Sequence, residues 1–188
     1  RSGRPGYFGK TSIVNNHPLK GHLRTMTSFL IRPAEPDDAP DVVRLINALA
    51  DYERLRGESW PSEEKLRKHL ADDATPKIEA LVAHDIKSGR CVGFALYYFN
   101  YSTFLTNFGM FLEDLFVEEK YRGSGIGFAL FNRLAVIAEK KGCMRLDWNV
   151  LDWNEPAISF YEKIGATPLT GWTTMRLDRS AIETLSNG

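Results

Sequence analysis

The sequence predicts a mixed α/β fold, one sheet with helices on both faces, and three patterns carry that expectation. Three or more strand-like runs in the middle of the chain are bracketed by amphipathic helical ones. Two of those runs, 78–85 and 91–100, face each other across Lys87-Ser-Gly-Arg90 as a hairpin. A third, Phe111-Leu-Glu-Asp-Leu-Phe-Val117, feeds a glycine-rich turn, Tyr121-Arg-Gly-Ser-Gly-Ile-Gly127, that opens a helical period.

Each element follows from its own residues. Phe29-Leu-Ile-Arg32 is a first strand. Val42, Leu45, Ile46 and Leu49 recur at i, i+3, i+4 and i+7, which predicts an amphipathic helix over 37–54. Ser62 followed by Glu63 and Glu64 starts a second helix, with acids at the favourable end of the dipole. The hairpin comes next, and 109–117 is the strand before the glycine turn. Ile126, Leu130, Leu134 and Ile137 mark one face of the helix after it, and Gly142 ends that helix. Met144, Leu146, Trp148 and Val150 alternate with polar residues, the pattern of a half-buried strand. Asn154 is a good N-cap, Pro156 is tolerated in a first turn and Gly165 suits the position after a helix end, so a short helix lies between them. A last strand is expected at 172–177.

Composition narrows the function. A chain of 188 residues suits one domain with a sizeable core. Hydrophobic content of 43% and aromatic content of 12% are ordinary for a water-soluble enzyme, and no run approaches a membrane span. Cys91 and Cys143 make neither a disulfide framework nor a metal site, so a cytoplasmic location is the default expectation. His17, His22, His69 and His84 have no metal-ligand spacing, and no metal is expected. The formal charge is zero, yet residues 1–25 hold five basic residues and no acid. The remainder is therefore net −5, which suits a cationic substrate and argues against nucleic acid. The basic segment 1–25 reads as an arm, tag or extension, although a transit peptide shares its composition. One domain is expected over 26–188.

The glycine turn is the chemical centre. A strand leading into such a turn and helix presents backbone N–H groups to an anion, and glycines let phosphate oxygens approach closely. A P-loop needs Lys-Ser/Thr after its last glycine, where Phe128-Ala129 stand. A dinucleotide fingerprint fails as well, because its third glycine falls on Phe128 or Leu130. What remains is Arg-x-x-Gly-x-Gly, filled by Arg122, Gly125 and Gly127.

That spacing resembles the acetyl-CoA pyrophosphate loop of the GNAT family of N-acetyltransferases. The run Asn154-Glu-Pro-Ala-Ile-Ser-Phe-Tyr161, closing on Gly165-Ala166, is similar to the last cofactor-contacting helix of its diamine (spermidine/spermine) type. The similarity extends to Ile31-Arg-Pro-Ala34, Asp51-Tyr-Glu53, Val92-Gly-Phe-Ala-Leu-Tyr-Tyr-Phe99 and Leu112-Glu-Asp114, covering roughly 28–178. It implies a central, mostly antiparallel sheet flanked by helices and an acetyl-CoA-dependent N-acetyltransferase whose small polycationic or diamine substrate attacks directly in a ternary complex. It also implies a homodimer, for which the aromatic run Phe94–Phe99, with Tyr101 and Phe104, offers apolar surface. Acetyl-CoA contacts are implied at Leu115, Phe116 and Val117 on the strand. Others fall at Arg122, Gly123, Ser124, Gly125, Ile126, Gly127 and Phe128 in the turn, and at Asn154, Glu155, Pro156, Ala157 and Tyr161 in the helix.

Amide formation from a thioester needs a neutral amine, hence a proton acceptor, and a proton for the departing thiolate. From its residues alone, Tyr161 reads either as a core aromatic beside Phe160 or as a proton donor; the resemblance favours the donor. Glu113 and Asp114 alternate on a strand, so only one is expected to face inward. The resemblance gives Glu113 the role of base or amine anchor. Tyr52 and Glu53, at a helix end, align with residues lining the amine channel, so Tyr52, Glu53, Glu113 and Asp114 form the expected substrate side. The segment between Ala166 and Trp172 is shorter than in the diamine type and lacks its acids, which leaves ornithine-like, lysine-like, aminoglycoside and protein-lysine acceptors open. Two further readings are a non-catalytic acyl-CoA-binding module and nucleic-acid binding through the basic arm.

Overall fold

The computed structural model describes residues 28–55, 57 and 61–188, and the basic segment 1–25 lies outside them. Five strands form one sheet in sequence order: β1 (Phe29–Pro33), β2 (Glu79–Asp85), β3 (Cys91–Ser102), β4 (Asn107–Val117) and β5 (Leu146–Trp148). The first four pair antiparallel, and β5 joins β4 in parallel over three residues, Met110–Leu112 against Leu146–Trp148. The helices are α1 (Ala39–Tyr52), α2 (Glu63–Leu70), α3 (Ile126–Lys140), α4 (Glu155–Lys163) and α5 (Arg179–Ser186).

Helices cover both faces, as the periodicities predict. Val42, Leu45 and Leu49 of α1 and Leu66 and Leu70 of α2 pack on one face of the sheet, against Val82, Phe94, Leu96 and Phe116. On the other face Ile126, Leu130 and Leu134 of α3 meet Val92, Met110, Leu112 and Val117. Each of these fully buried aliphatic side chains contributes about 1.5–3 kcal/mol of transfer free energy. Polar ties then set α1 against the end of β4. Arg44 of α1 donates to Glu118 Oε1 at 2.5 Å and to the Cys91 carbonyl at 2.6 Å. Asp38, ahead of α1, takes a two-pronged pair from Arg32 of β1 at 2.6 and 2.7 Å.

Three details depart from the sequence reading. Residues 172–177 form no strand; Trp172, Met175 and Leu177 are exposed. A strand requires a ladder, and β5, shorter than its alternating pattern at 144–150, gives a three-residue ladder before the chain turns away. A short helix, α5, follows instead, capped by Asp178, whose Oδ1 accepts from the Ala181 N–H at 2.8 Å. The aromatic run on β3 is also more hidden than expected, since Phe94 and Tyr97 are buried in the sheet. Within this hairpin the exposed aromatics lie at the tip, where Tyr101, Phe104 and Phe108 are 51, 91 and 53% accessible.

Candidate active site

The parallel pair explains where the site lies. Beyond Leu112 and Trp148 the ladder stops: β4 runs on to Val117, while the other chain turns through Asn149, Val150 and Leu151 toward α4. The gap is a cleft with a cavity of about 540 Å³. The carboxyl half of β4 and the glycine turn form one wall, and α4 and its lead-in form the other. The end of α1 lies across the top.

A β-bulge places the acids. Leu96 of β3 pairs with Asp114 and Tyr97 with Leu112, which leaves Glu113 without a partner across the ladder. A bulge adds one residue and interrupts the alternation. Glu113 and Asp114 therefore both line the cavity, instead of one facing in and one out. They differ in setting, with Glu113 exposed and Asp114 half-buried. Burial pushes the Asp114 carboxyl up to about 6, and the nearby carboxylates of Glu113 and Glu53 add to the shift. Burial likewise raises Glu53, at the carboxyl end of α1.

Tyr161 faces these acids from α4. The Asn154 side chain caps that helix, its Oδ1 accepting from the Ala157 N–H at 3.3 Å and from the Tyr52 hydroxyl at 3.2 Å. Tyr161 follows two turns later and packs on Trp148 and Phe131, with ring centroids 4.9 and 5.6 Å away. Burial, followed by the charges of Glu53 and Asp114, pushes its phenol up to about 12. The hydroxyl therefore keeps its proton throughout the neutral range.

The glycine turn has the geometry of an anion cradle. Gly123 and Gly125 have φ of +74° and +89°, left-handed values that favour glycine. A side chain at Gly123, Gly125 or Gly127 would meet no atom within 4 Å, so the space over the turn is open. The helical ladder of α3 begins with the Ala129 N–H to the Gly125 carbonyl at 3.0 Å. N–H groups ahead of that bond are the unpaired donors of a helix start. These features fit a pyrophosphate. Arg122, implied as a cofactor contact, lines the cavity and is held by two protein contacts. Its Nε donates to the Val117 carbonyl at 3.0 Å, and its guanidinium lies 4.5 Å from the centre of the Tyr52 ring.

The cavity gathers every site residue expected from sequence except Ser124, Ile126 and Glu155. Ile126 is buried in the core under α3, Ser124 is exposed with its hydroxyl on the Tyr121 carbonyl, and Glu155 points to solvent. Sequence reasoning missed Asn149, Val150 and Leu151, which line the cavity because the strands part there. Nothing in their spelling marks them. Among the described residues no group of His, Cys, Asp and Glu could hold a metal ion.

A sheet parted at its one parallel pair, with an anion cradle on one wall and paired acids facing a half-buried tyrosine, makes a cleft suited to acyl transfer. The chain belongs to the Acetyltransferase (GNAT) family, whose pattern matches residues 43–166. It is 39% identical over 170 residues to a thialysine N-epsilon-acetyltransferase of Sus scrofa, covering 86% of this chain and 99% of that one. It is 35% identical over 167 residues to spermidine/spermine N(1)-acetyltransferase-like protein 1 of Homo sapiens, covering 84% of this chain and 24% of that one. Among solved structures, an integron cassette protein from V. cholerae superposes with a TM-score of 0.71 at 27% identity, covering 86% of this chain and 99% of that chain. The protein is thus an N-acetyltransferase of this family, acting on amines with acetyl-CoA as the family's co-substrate.

Proposed function

We propose that the enzyme acetylates a primary amine of a small substrate that carries a second amine, by direct attack in a ternary complex. The observation that carries this reading is the trio Glu53, Glu113 and Asp114 in one cleft with Tyr161. A cleft lined by three carboxylates favours a cation, and only a carboxylate poised near neutrality can also accept its proton. Asp114 suits that role best, being half-buried with its carboxyl raised to about 6. Glu113, which the resemblance made base or anchor, is the more exposed and serves as amine anchor with Glu53.

Acetyl-CoA supplies an activated acetyl group as a thioester. Gly123, Gly125 and Gly127 offer main-chain donors to its pyrophosphate, while Asn154 and Ala157 on α4 face its chain from the other wall. Tyr161 donates a hydrogen bond where the thiolate develops. An ordinary thiol is more acidic than a phenol raised to about 12, so complete proton transfer needs the thiolate to be destabilised too. The negative charge of Glu53 acts in that direction, Asp114 having taken the amine's proton.

The test is coenzyme A release across spermidine, putrescine, ornithine, lysine and an aminoglycoside. Turnover with at least one diamine-type acceptor is expected. Binding of acetyl-CoA without turnover on any amine would favour a non-catalytic acyl-CoA-binding module. A ping-pong pattern in place of intersecting initial-rate lines would remove the ternary complex.

A further inference from the structure

Beside the cleft, next to its lining residues Tyr52, Glu53 and Asn154, cations and aromatic rings alternate in a row. Arg122 lies over Tyr52 at 4.5 Å, the Tyr52 and Trp153 rings stand 6.0 Å apart, and Arg54 lies 5.7 Å from the centre of the Trp153 ring. The stack spans three elements: the end of α1, the lead-in to α4 and the residue before the glycine turn. Arg122 is occupied, its Nε being committed to the Val117 carbonyl. Arg54 is exposed, and no carboxylate among the described residues pairs with it.

Arg54 is also in an unusual place. Helix α1 ends with the Leu55 N–H on the Ala50 carbonyl at 2.8 Å and the Arg54 N–H on the Asp51 carbonyl at 3.3 Å. That pair of bonds is a Schellman motif, and its left-handed residue is ordinarily glycine or asparagine. Here it is Arg54, at φ +62°. A non-glycine residue held in the left-handed region is a pointer to function. The conformation turns an arginine from the helix end onto Trp153, directly after Glu53 of the cavity wall.

Charge gives this arginine a task. Glu53, Glu113 and Asp114 repel any substrate carboxylate, so an acceptor bearing one needs a cation at the rim. We propose that Arg54 is a specificity-determining residue that binds the carboxylate of an α-amino acid acceptor, whose distal amine enters the cleft. A cation–π contact with Trp153 uses the ring face and leaves the guanidinium N–H donors for a carboxylate. This rests on the reading of the cleft as an amine site and narrows it to lysine-like amino acids.

The experiment compares kcat/KM for L-lysine, L-lysinamide and cadaverine, the last two lacking the carboxylate, in the unaltered enzyme and in Arg54→Gln, Arg54→Lys and Arg54→Gly. Lysine is expected to be the preferred acceptor. In Arg54→Gln the ratio of lysine to cadaverine should fall roughly 10- to 100-fold, the usual worth of a charge-assisted hydrogen bond, mainly through KM. Arg54→Lys should retain part of the ratio. Arg54→Gly should melt higher, because glycine suits the left-handed position, and yet lose the ratio; a merely structural arginine would not divide these readouts. An unchanged ratio in Arg54→Gln, or an unaltered enzyme that prefers cadaverine, overturns the assignment while leaving the amine site intact. No coenzyme A release with any of the three acceptors overturns both.

Discussion

In the proposed mechanism two side chains divide the proton work, and their surroundings give each a separate test. Tyr161 packs its ring on Trp148, Phe131 and Phe160, so Tyr161→Phe keeps the packing and removes only the hydroxyl. Turnover should fall roughly 10- to 1000-fold, the range of one positioned proton donor, with acetyl-CoA affinity and melting temperature nearly unchanged. Unchanged turnover with chemistry rate-limiting would leave Tyr161 as a core aromatic. For Asp114, kcat/KM should rise with pH through about 6 as the carboxyl loses its proton, and Asp114→Asn should abolish that limb. Glu113→Gln should preserve it. Stability moves oppositely. A carboxyl raised by folding binds its proton more tightly in the folded state, so Asp114 costs stability as pH climbs from the ordinary aspartate range through about 6. Asp114→Asn should therefore be more stable by about 1–3 kcal/mol at neutral pH and show little gain in acid, which melting curves at two pH values would check. At this scale both acids and the tyrosine were legible as candidates. That Glu113 and Asp114 share one cleft was not, because it depends on a bulge created by register with β3.

Among the elements, the glycine turn and the helix it opens are the most self-contained. Substituting Gly125 mixes two effects, because at φ +89° any side chain adds backbone strain to whatever it does to a ligand. Gly127 separates them: it lies in the first turn of α3 with open space where its Cβ would stand. Gly127→Asp should fold normally and weaken acetyl-CoA binding roughly tenfold or more, by adding bulk and like charge where phosphate approaches. Calorimetry showing wild-type affinity in a folded Gly127→Asp would move the cofactor away from this turn. The turn was legible because glycine spacing, strand run and helix period are all local properties. The orientation of Arg122 was not legible for the opposite reason: its side chain follows the Val117 carbonyl and the Tyr52 ring, and contact with Tyr52 depends on how α1 crosses the sheet.

For the whole molecule, the exposed aromatic tip of the β3–β4 hairpin bears on assembly. Tyr101 and Phe108 meet edge to face at 5.3 Å, and with Phe104 they form apolar surface beyond the reach of β2 and β5. A homodimer joined through this tip is expected. Sedimentation should give a dimer at micromolar concentration, and Phe104→Asp with Phe108→Asp should shift it toward monomer; a monomeric unaltered enzyme would remove the claim. By itself the amino-acid sequence determined the order of strands and helices through α4, the faces they bury and the glycine turn between β4 and α3. Each of these depends on residues within about one turn or one hairpin of each other. Only the tertiary structure decided that β4 and β5 part after three pairs, that a bulge turns Glu113 and Asp114 into one cleft, and that Arg54 reaches Trp153. These arise from contacts between residues distant along the chain, where register and packing, which have no local signature, set the geometry.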